Sequence, residues 1–242
     1  MIKQTAIETA ENFIEASFPR CASAVLAGSV VRGEATATSD LDIVIFTTCR
    51  ESYRYSCIKD DWPIEVFVHN YNSYRAFLQS DYERAKPSLA KMITEGIILK
   101  EDGMFKKIKK EAADLLYLGT ALWDANTIEM KRYFLTDVLD DLSGCKDRAE
   151  GVFIVQTLVE RLGEFYLRTK GQWIGDSKWL LRALKTYDPH FASKLTDSLE
   201  EYYKKNSKAG LIALTYEVLL PYGGRLFAGF SLGKEKHEGG AE

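Results

Sequence analysis

The chain has 242 residues, room for one large domain or two small ones, and 46% of them are apolar, as in a chain that buries a core. Its formal net charge is −3 and its pI is about 5.8. That balance argues against binding long nucleic acid, which needs clustered Lys and Arg to neutralise phosphates.

In chain order, the apolar spacing of Ile7, Ala10, Phe13, Ile14 and Phe18 predicts a helix over 5–18, ended by Pro19. A first strand follows at Ala24-Val25-Leu26-Ala27, broken by Gly28-Ser29. A second begins around Asp40-Leu41-Asp42 and runs through Ile43-Val44-Ile45-Phe46. Residues 53–58 and 62–68 read as a hairpin around the turn Lys59-Asp60-Asp61. Helices are predicted over 71–84 and 87–94, a short strand over 96–99, and a further helix over 105–118. After that the strand signals stop. The remainder reads as helices over 126–142, 149–169, 177–187, 189–205 and 209–220, punctuated by Gly119, Gly144 and Gly171. The expected fold class is therefore α+β: a mixed sheet flanked by helices over 1–119, then an all-α bundle over 120–232. Residues 233–242, rich in Gly, Glu and Lys, read as a flexible tail.

Met1-Ile2-Lys3 is followed at once by an acidic amphipathic stretch, which does not read as a signal peptide. No apolar run reaches the length of a membrane span. Cys21, Cys49, Cys57 and Cys145 form no CxxC pair and no metal spacing, so they read as scattered reduced thiols. Together these features predict a cytoplasmic protein.

The chemistry concentrates between the first two strands. Side chains two apart on a strand share a face, so Asp40 and Asp42 are expected to project together. Paired carboxylates resist ionising together unless a cation lies between them. Magnesium is the expected guest, because it takes oxygen ligands from one or two carboxylates plus substrate phosphates. Gly28 lets backbone approach a phosphate closely, and the Ser29 hydroxyl can donate to it. Glu65 is an acid inside the apolar run Pro63-Ile64-Glu65-Val66-Phe67-Val68. It reads either as a third ligand or as a solvent-facing charge on an edge strand, with Asp60 and Asp61 as less rigidly held competitors.

Gly28-Ser29, Arg32-Gly33 and Ser39-Asp40-x-Asp42, in that order and with Glu65 on a later strand, resemble the signature of the DNA polymerase β-like nucleotidyltransferase superfamily. The resemblance is strongest to the small bacterial enzymes that nucleotidylylate aminoglycosides. It implies Asp40, Asp42 and Glu65 as catalytic and metal-binding residues, with Gly28, Ser29, Arg32 and Ser39 around the nucleotide. Arg32 has a second reading as a brace for the turn. One or two Mg2+ ions and ATP as donor are implied, with a small hydroxyl-bearing acceptor and release of pyrophosphate. The helical half resembles the substrate domain of those enzymes. Asp176-Ser177-Lys178-Trp179 resembles the helix start where relatives place a triphosphate-binding lysine. Asp176 or Ser177 would cap that helix, and the alternative for Lys178 is an exposed first-turn residue.

Acidic residues crowd 137–164, among them Asp137, Asp140, Asp141, Asp147, Glu150, Glu160 and Glu164. Such a run is a solvated face or a wall for a polycationic acceptor. Glu160 and Glu164 share a helix face and are the acceptor-binding candidates. Tyr166 and Trp173 are core residues or a stacking surface. His69, His190 and His237 have no neighbours suggesting a metal or a triad and receive no role. A monomer or homodimer is expected, with neither nucleic acid nor membrane as partner. Small relatives in toxin–antitoxin pairs give the alternative, a regulatory nucleotidyltransferase that binds or modifies a protein. A polynucleotide polymerase is disfavoured by the acidic balance.

Overall fold

The central strand of the N-terminal unit is its most apolar one. β2 (Leu41–Thr47) is sealed on both faces, with Leu41, Ile43, Val44, Ile45 and Phe46 each 0% exposed. A strand covered on both sides needs helices above and below it, and the chain supplies them. A computed structural model describes residues 2–233 of the chain, with side chains from Thr5 onward. Residues 234–242, which hold His237 and nearly all of the expected tail, lie outside the described residues.

β1 (Ser23–Ala27) lies antiparallel to β2. β3 (Tyr53–Lys59) and β4 (Trp62–Asn70) form an antiparallel hairpin. Its turn residues Asp60 and Asp61 both have positive φ, the geometry that matches the twist of a tight hairpin. β5 (Ile97–Lys100) pairs antiparallel with β1 on the far edge. The sheet order is β3-β4-β2-β1-β5, and only the β2–β4 pair is parallel. The expected mixed sheet is present.

α1 (Ile2–Ser17) covers one face, where Ala6, Ala10, Phe13 and Ile14 pack with Leu26, Ile43 and Val66. α3 (Ser73–Arg84), α4 (Ser88–Glu95) and α5 (Phe105–Leu118) cover the other. There Val25, Val44 and Phe46 pack with Tyr74, Ile93, Phe105 and Ile108. α3 starts at Ser73, two residues later than the spacing predicts. The Asn70 side chain accepts from the N–H groups of Asn72 and Ser73 and holds 70–72 as a turn. α4 is capped from a distance: the buried Asp81 carboxylate of α3 accepts from Leu89 N at 2.7 Å.

Two details depart from the sequence reading. Gly28-Ser29 is not an open turn, because it begins a single-turn helix, α2 (Gly28–Arg32). β2 begins at Leu41, so Asp42 is a strand residue whereas Asp40 stands in the segment leading into it. Strand alternation therefore does not by itself orient Asp40.

The chain divides between Gly119 and Thr120 into two compact units. Among its described residues the second holds helices and no strand: α6 (Ala125–Gly144), α7 (Arg148–Arg168), α8 (Lys178–Tyr187), α9 (Pro189–Lys205) and α10 (Ala209–Leu219), followed by one 3-10 turn. One core runs through it, including Leu139, Leu158, Leu162, Phe165, Leu184 and Leu211. Aspartates open three of these helices: Asp124 for α6, Asp147 for α7 and Asp188 for α9, each accepting from first-turn N–H groups. α8 is different. Ser177 precedes it at φ 53°, and its side chain makes no capping bond, so the expected Ser177 cap is absent. Among the described residues no helix is long and apolar enough to cross a membrane, and all four cysteines are free.

Candidate active site

The parallel β2–β4 register sets Asp42 directly beside Glu65. On its other side Asp42 pairs with Ala27, the last residue of β1. The chain turns away there through Gly28 at φ 82°, a conformation that side chains rarely adopt. A Cβ on Gly28 would stand 2.0 Å from Asp42 Oδ2. Glycine is thus required twice over, for the backbone angle and for the space taken by the carboxylate. Asp40 enters from the segment before β2. One carboxylate oxygen from each of Asp40, Asp42 and Glu65 lies within 4.8 Å of the other two. All three residues are half-buried, and among the described residues they form the one such acidic group.

The electrostatics follow from that crowding. Burial raises the Asp42 carboxyl most, and the nearby Asp40 and Glu65 charges raise it further, to about 6. Arg32 and Arg54 oppose the shift. A divalent cation would remove the repulsion at its source. Oxygens this near one another would be able to share a single cation. The donor set is all oxygen, which suits a hard cation. These residues fit magnesium.

The other N-terminal candidates lie beside the carboxylates or near them in the chain. Ser29 Oγ donates to Ser39 Oγ at 3.0 Å, and Ser39 Oγ accepts from Thr36 N at 2.8 Å. The two serines tie the start of α2 to the segment that delivers Asp40. Arg32 reaches Glu34 at 3.2 Å and Glu95 at 3.5 Å. Arg54 was not singled out from the sequence, yet its guanidinium ion-pairs with Glu65. The signal was there in the hairpin: Arg54 pairs with Phe67 and Ser56 with Glu65, so both β3 residues share the face of Glu65.

His69 lies on the same face of β4 as Glu65. It is buried, its Nδ1 has no partner, and burial lowers its pKa to about 4. It packs edge-on against Phe77 at 4.7 Å, which is the setting of a core residue.

The other candidates belong to the helical unit. Lys178 opens α8 at an exposed position. Glu164 is held by Lys131 Nζ, 2.8 Å from both of its oxygens, while Glu160 is exposed. Asp140 pairs with Arg225, and Asp147 is spent as a cap. Much of the acidic run is therefore matched within the chain. Tyr166 stacks on Phe191 at 3.7 Å and donates to Asp188 at 2.5 Å, which makes it structural.

Residues 7–115 match the family model of the nucleotidyltransferase domain. The match runs from within α1 into α5 and includes all five strands and the three carboxylates. The matched stretch lies within the N-terminal unit. Among solved structures, the chain is similar to a nucleotidyltransferase-like protein from Exiguobacterium sibiricum 255-15. That similarity has a TM-score of 0.47 and 11% identity, covering 89% of this chain and 74% of the other. No curated protein matches the chain.

Proposed function

We propose that this chain moves a nucleoside monophosphate, AMP from ATP, onto a hydroxyl of a small molecule and releases pyrophosphate. The observation that carries the reading is the convergence of Asp40, Asp42 and Glu65 within 4.8 Å beside Gly28. It lies inside a stretch that matches the nucleotidyltransferase domain. The three carboxylates would hold one or two magnesium ions. When bound, magnesium supplies charge neutralisation at the phosphates of the donor.

The residues divide the remaining work. Ser29 and the backbone at Gly28 grip the triphosphate, and the Ser29–Ser39 bond keeps that grip in register with Asp40. Glu65 accepts the proton of the acceptor hydroxyl. The hydroxyl oxygen forms its bond to the α-phosphorus as the bond from that phosphorus to the bridging oxygen breaks, and pyrophosphate leaves with the electron pair. Arg32 braces α2 and tempers the charge at Asp42. Lys178, at the exposed start of α8 in the helical unit, is the candidate phosphate ligand there, as a point charge.

The helical unit receives the acceptor. An aminoglycoside-like polycation is the favoured class, with Glu160 and Glu164 as its contacts. Lys131 holds Glu164 and must give way to such an acceptor. The test is transfer of label from α-phosphate-labelled ATP, with magnesium, to a panel of aminoglycosides and neutral polyols. Label on a small alcohol, lost in Asp40→Asn and Asp42→Asn, is the expected result. Undiminished transfer by either variant refutes the reading.

A further inference from the structure

We propose that Arg54 is an exchangeable counter-cation for the carboxylates: it occupies Glu65 before a nucleotide arrives and moves to the phosphates when one binds. The proposal rests on the reading of the site just given, and it adds a nucleotide-binding residue on β3, one of the two edge strands of the sheet.

Three observations lead to it. First, β3 is an edge strand, and its pairing with β4 turns Arg54 and Ser56 to the face that carries Glu65 and Phe67. Second, the contact is built. The guanidinium ion-pairs with Glu65 Oε1 and lies over the Phe67 ring at 4.8 Å, while Ser56 Oγ stands 3.5 Å from the same oxygen. A planar guanidinium suits a flat aromatic shelf and a carboxylate together. Third, the two partners differ in freedom. The Arg54 side chain is 61% exposed and that of Glu65 only 18%. Glu65 is fixed by the sheet, and Arg54 is free to leave.

The consequence is a competition whose sign changes with nucleotide. Without nucleotide, a metal ion arriving at Glu65 meets a positive charge already paired there, so Arg54 opposes loading. A nucleoside triphosphate offers several anionic oxygens in the fork geometry that arginine prefers. With it bound, Arg54 has a new partner and ceases to oppose the metal. Metal loading is thereby coupled to nucleotide, and the carboxylates resist filling with a bare ion.

The experiment titrates Mn2+ by electron paramagnetic resonance against wild type, Arg54→Ala and Arg54→Lys. Each is measured alone and with a non-hydrolysable ATP analogue, and circular dichroism checks folding. Without nucleotide, Arg54→Ala should bind Mn2+ about three- to tenfold more tightly than wild type. Arg54→Lys, which keeps the charge and loses the fork, should fall between them. With the analogue the order should reverse, Arg54→Ala binding the Mn2+–analogue pair several-fold more weakly. Equal Mn2+ affinity for wild type and Arg54→Ala overturns the proposal. Tighter binding by Arg54→Ala in both conditions also overturns it, since that reports background charge alone. If no protein binds Mn2+ in either condition, the reading of the carboxylates as a metal site fails as well, an outcome distinct from the other two.

Discussion

Replacing Asp42 with Asn should stabilise the metal-free protein while destroying transfer, because the wild-type side chain is ionised against its surroundings. Its pKa is raised from 3.8 to about 6. A raised carboxyl pKa contributes stability that is complete below the unfolded value and is lost as pH rises through the folded one. The window is therefore pH 3.8 to about 6. At about 1.4 kcal/mol per pH unit, the difference between 3.8 and about 6 gives a ceiling of ~3 kcal/mol on the strain above that window. Asp42 is half-buried, so water screens part of this, and about 1–3 kcal/mol is the working expectation. At about 3–5 °C per kcal/mol for a unit of this size, that corresponds to a rise in Tm of roughly 3–15 °C. The assay is thermal unfolding of wild type and Asp42→Asn in chelator at pH 7.5 and pH 4.5. The variant should melt higher at pH 7.5, and the gap should shrink to about a third at pH 4.5, where Asp42 is protonated in the folded protein but still largely ionised in the unfolded chain. Saturating Mg2+ should erase or invert the advantage at pH 7.5. An Asp42→Asn protein that melts lower than wild type at pH 7.5, or higher by the same amount at both pH values, would refute the reasoning.

Gly28→Ala should cost about 1–3 kcal/mol in backbone strain alone, and its Cβ would push the Asp42 carboxylate out of line; chemical denaturation should register the first effect and Mn2+ titration the second. Asp81→Ala should lose about 1–3 kcal/mol, because it leaves the buried Leu89 N–H without its acceptor, and denaturant melts measure it. His69→Phe has a pH signature of its own. The lowered pKa of His69, about 4 against an ordinary 6.5, contributes stability present above 6.5 and lost as pH falls through 4. The Tm of His69→Phe relative to wild type should therefore climb between pH 7 and pH 4.5, and a flat difference would contradict it.

The order of elements was legible in the sequence because each is written in local terms. Alternation and apolar runs mark β1, β2 and the β3–β4 hairpin, and the helical spacing after Gly119 needs no partner to be seen. The same holds for the residues bunched between Gly28 and Asp42, which sit close together along the chain. What the pattern could not say is which strand lies beside which. Glu65 reads equally well as a ligand or as a solvent-facing edge charge, since alternation assigns a face and not a neighbour. Parallel pairing of β2 with β4 sets Glu65 next to Asp42 and moves β3 to the edge. Arg54 joins the site for the same reason, through a cross-strand register absent from any local window. The fate of the acidic run was equally non-local: Lys131 and Arg225 claim Glu164 and Asp140 from 33 and 85 residues away. Sequence alone specified the parts and their faces, through backbone propensity and apolar periodicity. The tertiary structure chose the neighbours, because bringing charges together depends on contacts between residues that the chain keeps far apart.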